Sequence, residues 1–226
     1  MSFFFETRPS DAPFVESIWR TESEQEIDFL SQANLPWQMV LSRYQGKTVF
    51  TVRGPETQVS KAASPAGAEF IGITFKLGTF MPHLPLKTIM DRADLRLPEA
   101  ANQSFWLNSS TWQFPTFENV DTFINQLVQE EILMHDPMVS AALQGHNPYL
   151  SPRSVQYRFL RATGLTQNTI RQIERAKQAE ALLEQGTSIL DTMHMLGYFD
   201  QAHLTRSLKR FIGQTPSQIA TVKQPG

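Results

Sequence analysis

The sequence contains no cysteine. That excludes disulfide frameworks, cysteine-ligated zinc and cysteine nucleophiles together. Long apolar runs are missing too. A membrane-spanning helix needs about 20 consecutive apolar residues, and no stretch of the 226 residues approaches that, so no membrane partner is expected. The opening Met1-Ser2-Phe3-Phe4-Phe5-Glu6 lacks a basic leader and a full apolar segment, and does not read as a signal peptide. These absences suit a cytoplasmic protein. Histidine is sparse: His83, His135, His146, His194 and His203 are scattered, with no pair at ligand spacing, so neither metal nor cofactor is expected. No serine sits in a nucleophile-elbow motif, and the chain does not read as an enzyme.

Net charge is only −2, but it is unevenly spread. Residues 1–137 carry 10 Lys/Arg and 17 Asp/Glu, a balance of −7. Residues 138–226 carry 10 Lys/Arg and 5 Asp/Glu, a balance of +5. An acidic front and a basic back predict two domains with different partners, and the back is where a polyanion would bind.

The front reads as β-rich. Residues 1–20 are aromatic, interrupted by Pro9 and Pro13, and predict an edge strand or an arm. The acidic stretch 21–35 predicts a surface loop or short helix. Trp37 to Leu41 alternates, Tyr44-Gln45-Gly46-Lys47 is a turn signal, and Thr48 to Val52 is β-branched, so a hairpin is expected. Val59 to Ala63 predicts a short strand. Ala68 to Phe75 is apolar on both faces and predicts a central strand. Leu84 to Leu97 is expected to hold a short helix. Phe105-Trp106-Leu107 and Trp112 to Pro115 are aromatic clusters that plug the core or seal the domain boundary. Together these predict a small barrel or sandwich.

From Val120 the period becomes helical, with Val120, Phe123, Ile124, Leu127 and Val128 on one face. Asp136-Pro137 opens a short helix ended by Gly145, and Ser151-Pro152 opens one ended by Gly164. A long helix over 166–185 follows. Ile189 to Leu196 ends at Gly197, and Asp200 caps a last amphipathic helix in which Leu204, Leu208 and Phe211 face inward. A short helix followed by a capped helix thus occurs twice, in helix-turn-helix form, joined by the long helix. Alone, the last helix also fits an ordinary surface helix with solvated charges. As one of two units confined to the basic part, it fits a helix that enters a DNA major groove.

The residues that carry a resemblance are these: Ser151-x-Arg153-x-Val155-Gln156-x-x-Phe159-x-x-x-x-Gly164, then Arg175-x-x-x-Ala179-x-x-Leu182-Leu183, then Gly197-Tyr198-x-Asp200-Gln201-x-His203-Leu204-x-Arg206-x-x-x-x-Phe211-x-Gly213-x-Thr215-Pro216. Over about residues 120–220 the chain resembles the AraC/XylS transcription regulators. The resemblance implies a seven-helix DNA-binding domain with two helix-turn-helix units, acting in bacterial cytoplasm. The fold class it implies is α+β, with a β-rich sensor or dimerisation domain at 1–118, cupin-like in many members, and the helical domain at 119–222. Met193 stands where the family usually has Ala, four residues before Gly197, so the helices of the second unit are expected to sit slightly apart.

Carried over residue by residue, the resemblance implies base contacts from Arg153, Gln156 and Tyr157 on the first reading helix and from Gln201, Ala202 and Arg206 on the second. Arg bonds guanine, Gln bonds adenine, and apolar groups touch the thymine methyl. Arg158, Arg161, Thr205, Lys209 and Arg210 read as phosphate contacts, which position without specifying. In the front, Trp37, Arg43, Phe70, Phe75, Trp106 and Trp112 are candidates for an effector pocket, with core packing and surface charge as the competing reading for each. Two function classes stay open. In one, a sequence-specific regulator is modulated through its front domain by a small-molecule effector or by homodimerisation, with RNA polymerase as partner where it activates. In the other, the front is a protein-interaction module tethered to DNA, with no small-molecule effector.

Overall fold

The computed structural model describes residues 3–146 and 150–221. Along the chain the strands are β1 (Phe3–Arg8), β2 (Val15–Ser23), β3 (Ile27–Ser31), β4 (Gln38–Tyr44), β5 (Lys47–Arg53), β6 (Ser60–Ser64), β7 (Ala68–Phe75), β8 (Thr79–Phe80), β9 (Leu95–Arg96), β10 (Glu99–Ala100), β11 (Ser104–Leu107), β12 (Ser110–Gln113) and β13 (Met134–His135). The helices are α1 (Val120–Gln129), α2 (Met138–Leu143), α3 (Pro152–Thr163), α4 (Gln167–Glu184), α5 (Ile189–Met195), α6 (Gln201–Phe211) and α7 (Pro216–Thr221). The class is α+β, with strands in front and helices behind.

The main sheet is antiparallel in the order β1-β2-β7-β4-β5-β9. The expected central strand, β7, lies between β2 and β4. The β4–β5 hairpin turns through Gln45 (φ 48°) and Gly46 (φ 74°), the two consecutive positive φ values that match the right-handed twist of its arms. The order runs from β1 to β9 without closing, so this sheet is open and is not a barrel. The three-stranded meander β10-β11-β12 contributes Phe105, whose ring meets Phe50 of β5 edge-on at 4.7 Å. Phe123 of α1 joins them and also meets Trp112. Phe105, Leu107 and Trp112 of the aromatic clusters are therefore core, on strands, while Trp106 is 46% exposed.

Two local expectations fail for identifiable reasons. The stretch 21–35 is neither loop nor helix: β2 runs to Ser23 and β3 follows. Glu22 faces outward opposite Glu69 while Ser23 is fully buried, so the acids occupy one face of an alternating strand. Leu84 to Leu97 holds only one 3-10 turn, Leu86–Thr88, flanked by Pro85, with Leu95 paired to Val52 in the sheet.

The described chain forms two compact units, and they do not divide at 118/119. One comprises residues up to Asp28, Pro36–Pro55 and Ala63–Thr166; the other comprises Phe29–Leu35, Glu56–Ala62 and residues from Gln167 on. Packing explains the shift. In the first unit α1 lays Phe123 on the β-core, and α3 packs on β8 and the 3-10 turn. In the second, α4 buries Ile170, Ile173, Ala176, Ala179 and Leu183 against its neighbours. There the Ala33 N–H donates to the Phe211 carbonyl (2.8 Å) and the Val59 N–H to the Arg210 carbonyl (2.9 Å). The expected domain end, Val222, lies outside the described residues.

Gly164 ties α3 to this core. It sits at φ 73°, and a Cβ there would stand 2.9 Å from the Lys87 nitrogen and 3.1 Å from the Leu86 carbonyl carbon. Gly164→Ala is therefore expected to destabilise the first unit by about 2–4 kcal/mol, combining left-handed strain with overpacking. Urea denaturation monitored by tryptophan fluorescence measures it; a loss under about 0.5 kcal/mol would mean α3 is not held there.

Candidate nucleic-acid interface

Helix α6 is built as its pattern predicts. Asp200 is extended (φ −151°, ψ 170°) and its carboxylate accepts from the His203 N–H at 2.6 Å, satisfying an orphan amide of the first turn. Leu204, Leu208 and Phe211 are buried, and Gln201, Ala202, Arg206, Lys209 and Arg210 are exposed, with Thr205 half-buried. The turn before it is fixed by Tyr198, which is buried and stacked by the Arg175 guanidinium at 4.4 Å, with its hydroxyl 3.2 Å from Ser207 Oγ. On α5 the fully buried position is Thr192; Met193 beside it is half-buried, and its carbonyl accepts from the Tyr198 N–H.

Helix α3 is capped by Ser151, whose hydroxyl accepts from the Ser154 N–H at 3.2 Å. Phe159 and Ala162 are buried and Val155 is half-buried. Arg153, Gln156 and Tyr157 are exposed together, Tyr157 at 67%. Two cations of α3 are already engaged. Arg158 makes a bidentate pair with Asp136, Nε to Oδ2 at 2.8 Å and Nη2 to Oδ1 at 2.6 Å. The Arg161 guanidinium lies 5.2 Å from the Phe80 ring centroid. Asp136 also caps α2 through the Met138 N–H. The sequence flags Asp136 only as a helix opener; no local signal marks its partner 22 residues away.

A family model described as a helix-turn-helix domain matches residues 149–221, which is under half of the chain. Residues 149–221 thus match a helix-turn-helix domain. The match begins just before α3 and ends in α7. Comparison with curated proteins finds no match. Among solved structures the chain is similar to ToxT from Vibrio cholerae, 10% identical over 98% of each chain, with a TM-score of 0.35. The helix-turn-helix match supports DNA binding by this part of the chain. Within that domain neither Arg153 nor Arg206 makes an ion pair among the described residues.

The six effector-pocket candidates do not converge, and strand parity is the reason. Phe75 and Phe70 lie five apart on β7, hence on opposite faces. Phe75 is fully buried, stacked on Trp37 at 4.0 Å, and Trp37 Nε1 donates to the Thr79 carbonyl at 2.6 Å, so this pair is core. Phe70 and Arg43 line a cleft of about 360 Å³ with Phe4, Arg20, Glu69 and Phe117. Its cations are partnered, Arg20 by Glu6 and Arg43 by Glu69. Trp112 lines a different cleft, and Trp106 points away from both Phe105 and Leu107, 46% exposed. Among the described residues no helix is long and apolar enough to cross a membrane, and no cluster of three or more His, Cys, Asp or Glu could hold a metal.

His135, next to Asp136, titrates against the fold. Its Nδ1 lies 3.1 Å from Thr79 Oγ1, which itself donates to the Phe14 carbonyl. Burial holds its pKa below the ordinary value, with Lys76 adding to the effect and Asp136 opposing it. The unfolded chain gains this proton below about pH 6.5 and the folded chain does not, so stability is full above that pH and is lost as pH falls toward the folded pKa. Melting temperature is expected to drop between pH 7.5 and 5.5, and less so in His135→Gln. His83, lowered by burial as well, accounts for part of what remains. An identical drop in the variant would remove His135 from the account.

Proposed function

We propose that this protein is a sequence-specific transcription regulator that reads DNA with α3 and α6. The observation that carries the reading is the paired exposure of Arg153, Gln156 and Tyr157 on α3 and of Gln201, Ala202 and Arg206 on α6, each set at the capped N-terminal part of a helix with a buried back. Such helices enter the major groove N-terminus first. Two of them suit successive grooves about 34 Å apart. Thr205, Lys209 and Arg210 supply phosphate contacts, as does Arg161, while Arg158 supplies one only when released from Asp136. The division of labour runs between a front part, 1–118, and a DNA-binding part, 119–222. The protein acts in the cytoplasm, with RNA polymerase as partner where it activates.

The front part acts on α3, because α3 belongs to the same compact unit and lays Arg161 over Phe80 and Gly164 against Leu86. A small-molecule effector fits the cleft of about 610 Å³ between β12 and α1, where Trp112 and Phe123 sit beside Asn119, Thr122 and Gln126. That lining, which also includes Glu130, suits a polar ligand. The alternative, a homodimer or protein partner without effector, is favoured by edge strand β1, which exposes Phe4 and Phe5.

Duplexes selected from a random pool by the full chain test the reading. Binding is expected to weaken steeply with salt, and Arg206→Ala is expected to cost about 1–3 kcal/mol and relax one base position. Absence of selected sequence, or an Arg206→Ala variant with unchanged specificity, would overturn it. Asp136→Asn is expected to tighten binding and to raise the salt slope by about 1, since it frees one phosphate-binding guanidinium. A slope equal to that of the unsubstituted chain would leave Arg158 a purely structural group.

A further inference from the structure

The turn between α5 and α6 holds the most exposed large apolar side chain among the described residues. Phe199 is 90% exposed, while its neighbour Tyr198 is 5% exposed. The fold has a standard use for an apolar residue at this position. Asp200 is the N-cap of α6, so Phe199 is the residue before the cap and Leu204 is the fourth of the helix. An apolar pair at these two places commonly packs as a staple that fixes the entry of the chain. Here the staple is not made: Leu204 is completely buried and Phe199 is almost completely in water. The entry is fixed instead by Tyr198, by Arg175 stacked on it, and by the Asp200 cap. The Phe199 ring therefore contributes nothing to folding that the structure displays.

Its position says what covers it. The ring stands at the N-terminal tip of α6, immediately before exposed Gln201 and Ala202, with Arg206 one turn further on. In a major-groove reading helix this tip meets base edges, and an apolar side chain there finds one apolar feature, the thymine methyl group. We propose that Phe199 is a specificity-determining residue, its ring packing against the 5-methyl group of a thymine at the edge of the sequence read by α6. The inference rests on the DNA-reading role of α6 and adds to it a contact outside the six base-facing positions.

Deoxyuridine, which differs from thymidine by that methyl alone, is the probe. Each thymine of a selected duplex is replaced singly by deoxyuridine, and affinities are measured for the full chain and for Phe199→Ala. Burying one methyl corresponds to about a fourfold change in affinity. One replacement is expected to weaken the unsubstituted chain by about that factor. The same replacement is expected to leave Phe199→Ala unchanged, while Phe199→Leu keeps part of the discrimination. Phe199→Ala should melt at the temperature of the unsubstituted chain, since the ring is exposed. Equal sensitivity to deoxyuridine in both proteins would overturn the proposal. So would a uniform loss of affinity without thymine dependence, or intact DNA binding with lost transcription, which would assign the ring to a protein partner. Failure of the unsubstituted chain to select any DNA would instead overturn the reading of α6 itself, and with it this contact.

Discussion

A helix ends with carbonyls that have no partner within it, and the fold answers this at α6 with chain from far away in sequence. The amides of Ala33 and Val59 bond the carbonyls of Phe211 and Arg210. Asn34 and Glu56 bridge the two segments that deliver them. Gly213, at φ 90°, lets the chain leave under Leu30 and Val59, where a Cβ would stand 3.2 and 3.0 Å from their side chains. The other reading helix is held at the same end by a different device, Gly164 closed on Leu86 and Lys87. Both helices are thus fixed at their C-terminal ends by the front of the chain and capped at their N-terminal ends by their own Ser151 and Asp200. The N-terminal parts, with Arg153, Gln156, Gln201 and Ala202 exposed, are left uncovered by this arrangement.

The basic balance of the back half overstates what is free to meet a polyanion. Arg158 is paired with Asp136, and Arg161, Arg175 and Arg210 lie over the rings of Phe80, Tyr198 and Phe211. A guanidinium on a ring keeps its charge but is fixed in direction. Arg153, Arg206 and Lys209 make neither kind of contact among the described residues. Affinity for phosphate comes from charge and specificity from placement, so the engaged and unengaged cations are suited to different work.

The helices were legible because their signals are local. Ser151-Pro152, Asp200, Gly164 and Gly197 announce boundaries within a few residues, and period 3.6 marks Leu204, Leu208 and Phe211 without knowledge of their partners. The β4–β5 hairpin was legible for the same reason. What failed was non-local. Acids on the outer face of β2 hid its alternation. The effector residues were grouped by type, though parity on β7 sends Phe70 and Phe75 to opposite faces. The segments 29–35 and 56–62 carry nothing in their sequence that says they complete the unit of α6. Phe199 stands in the sequence as an ordinary position between Tyr198 and Asp200; only its exposure distinguishes it.

The break between the units falls at Thr166/Gln167, after α3 and before the long helix, so α3 belongs to one unit and α6 to the other. Phe80, Asp136 and the Leu86 turn meet α3 inside one packed unit, while Ala33 and Val59 hold the end of α6 inside the other. The groups that engage Arg158 and Gly164 are therefore separate from those that fix α6, and each helix takes its support from its own unit.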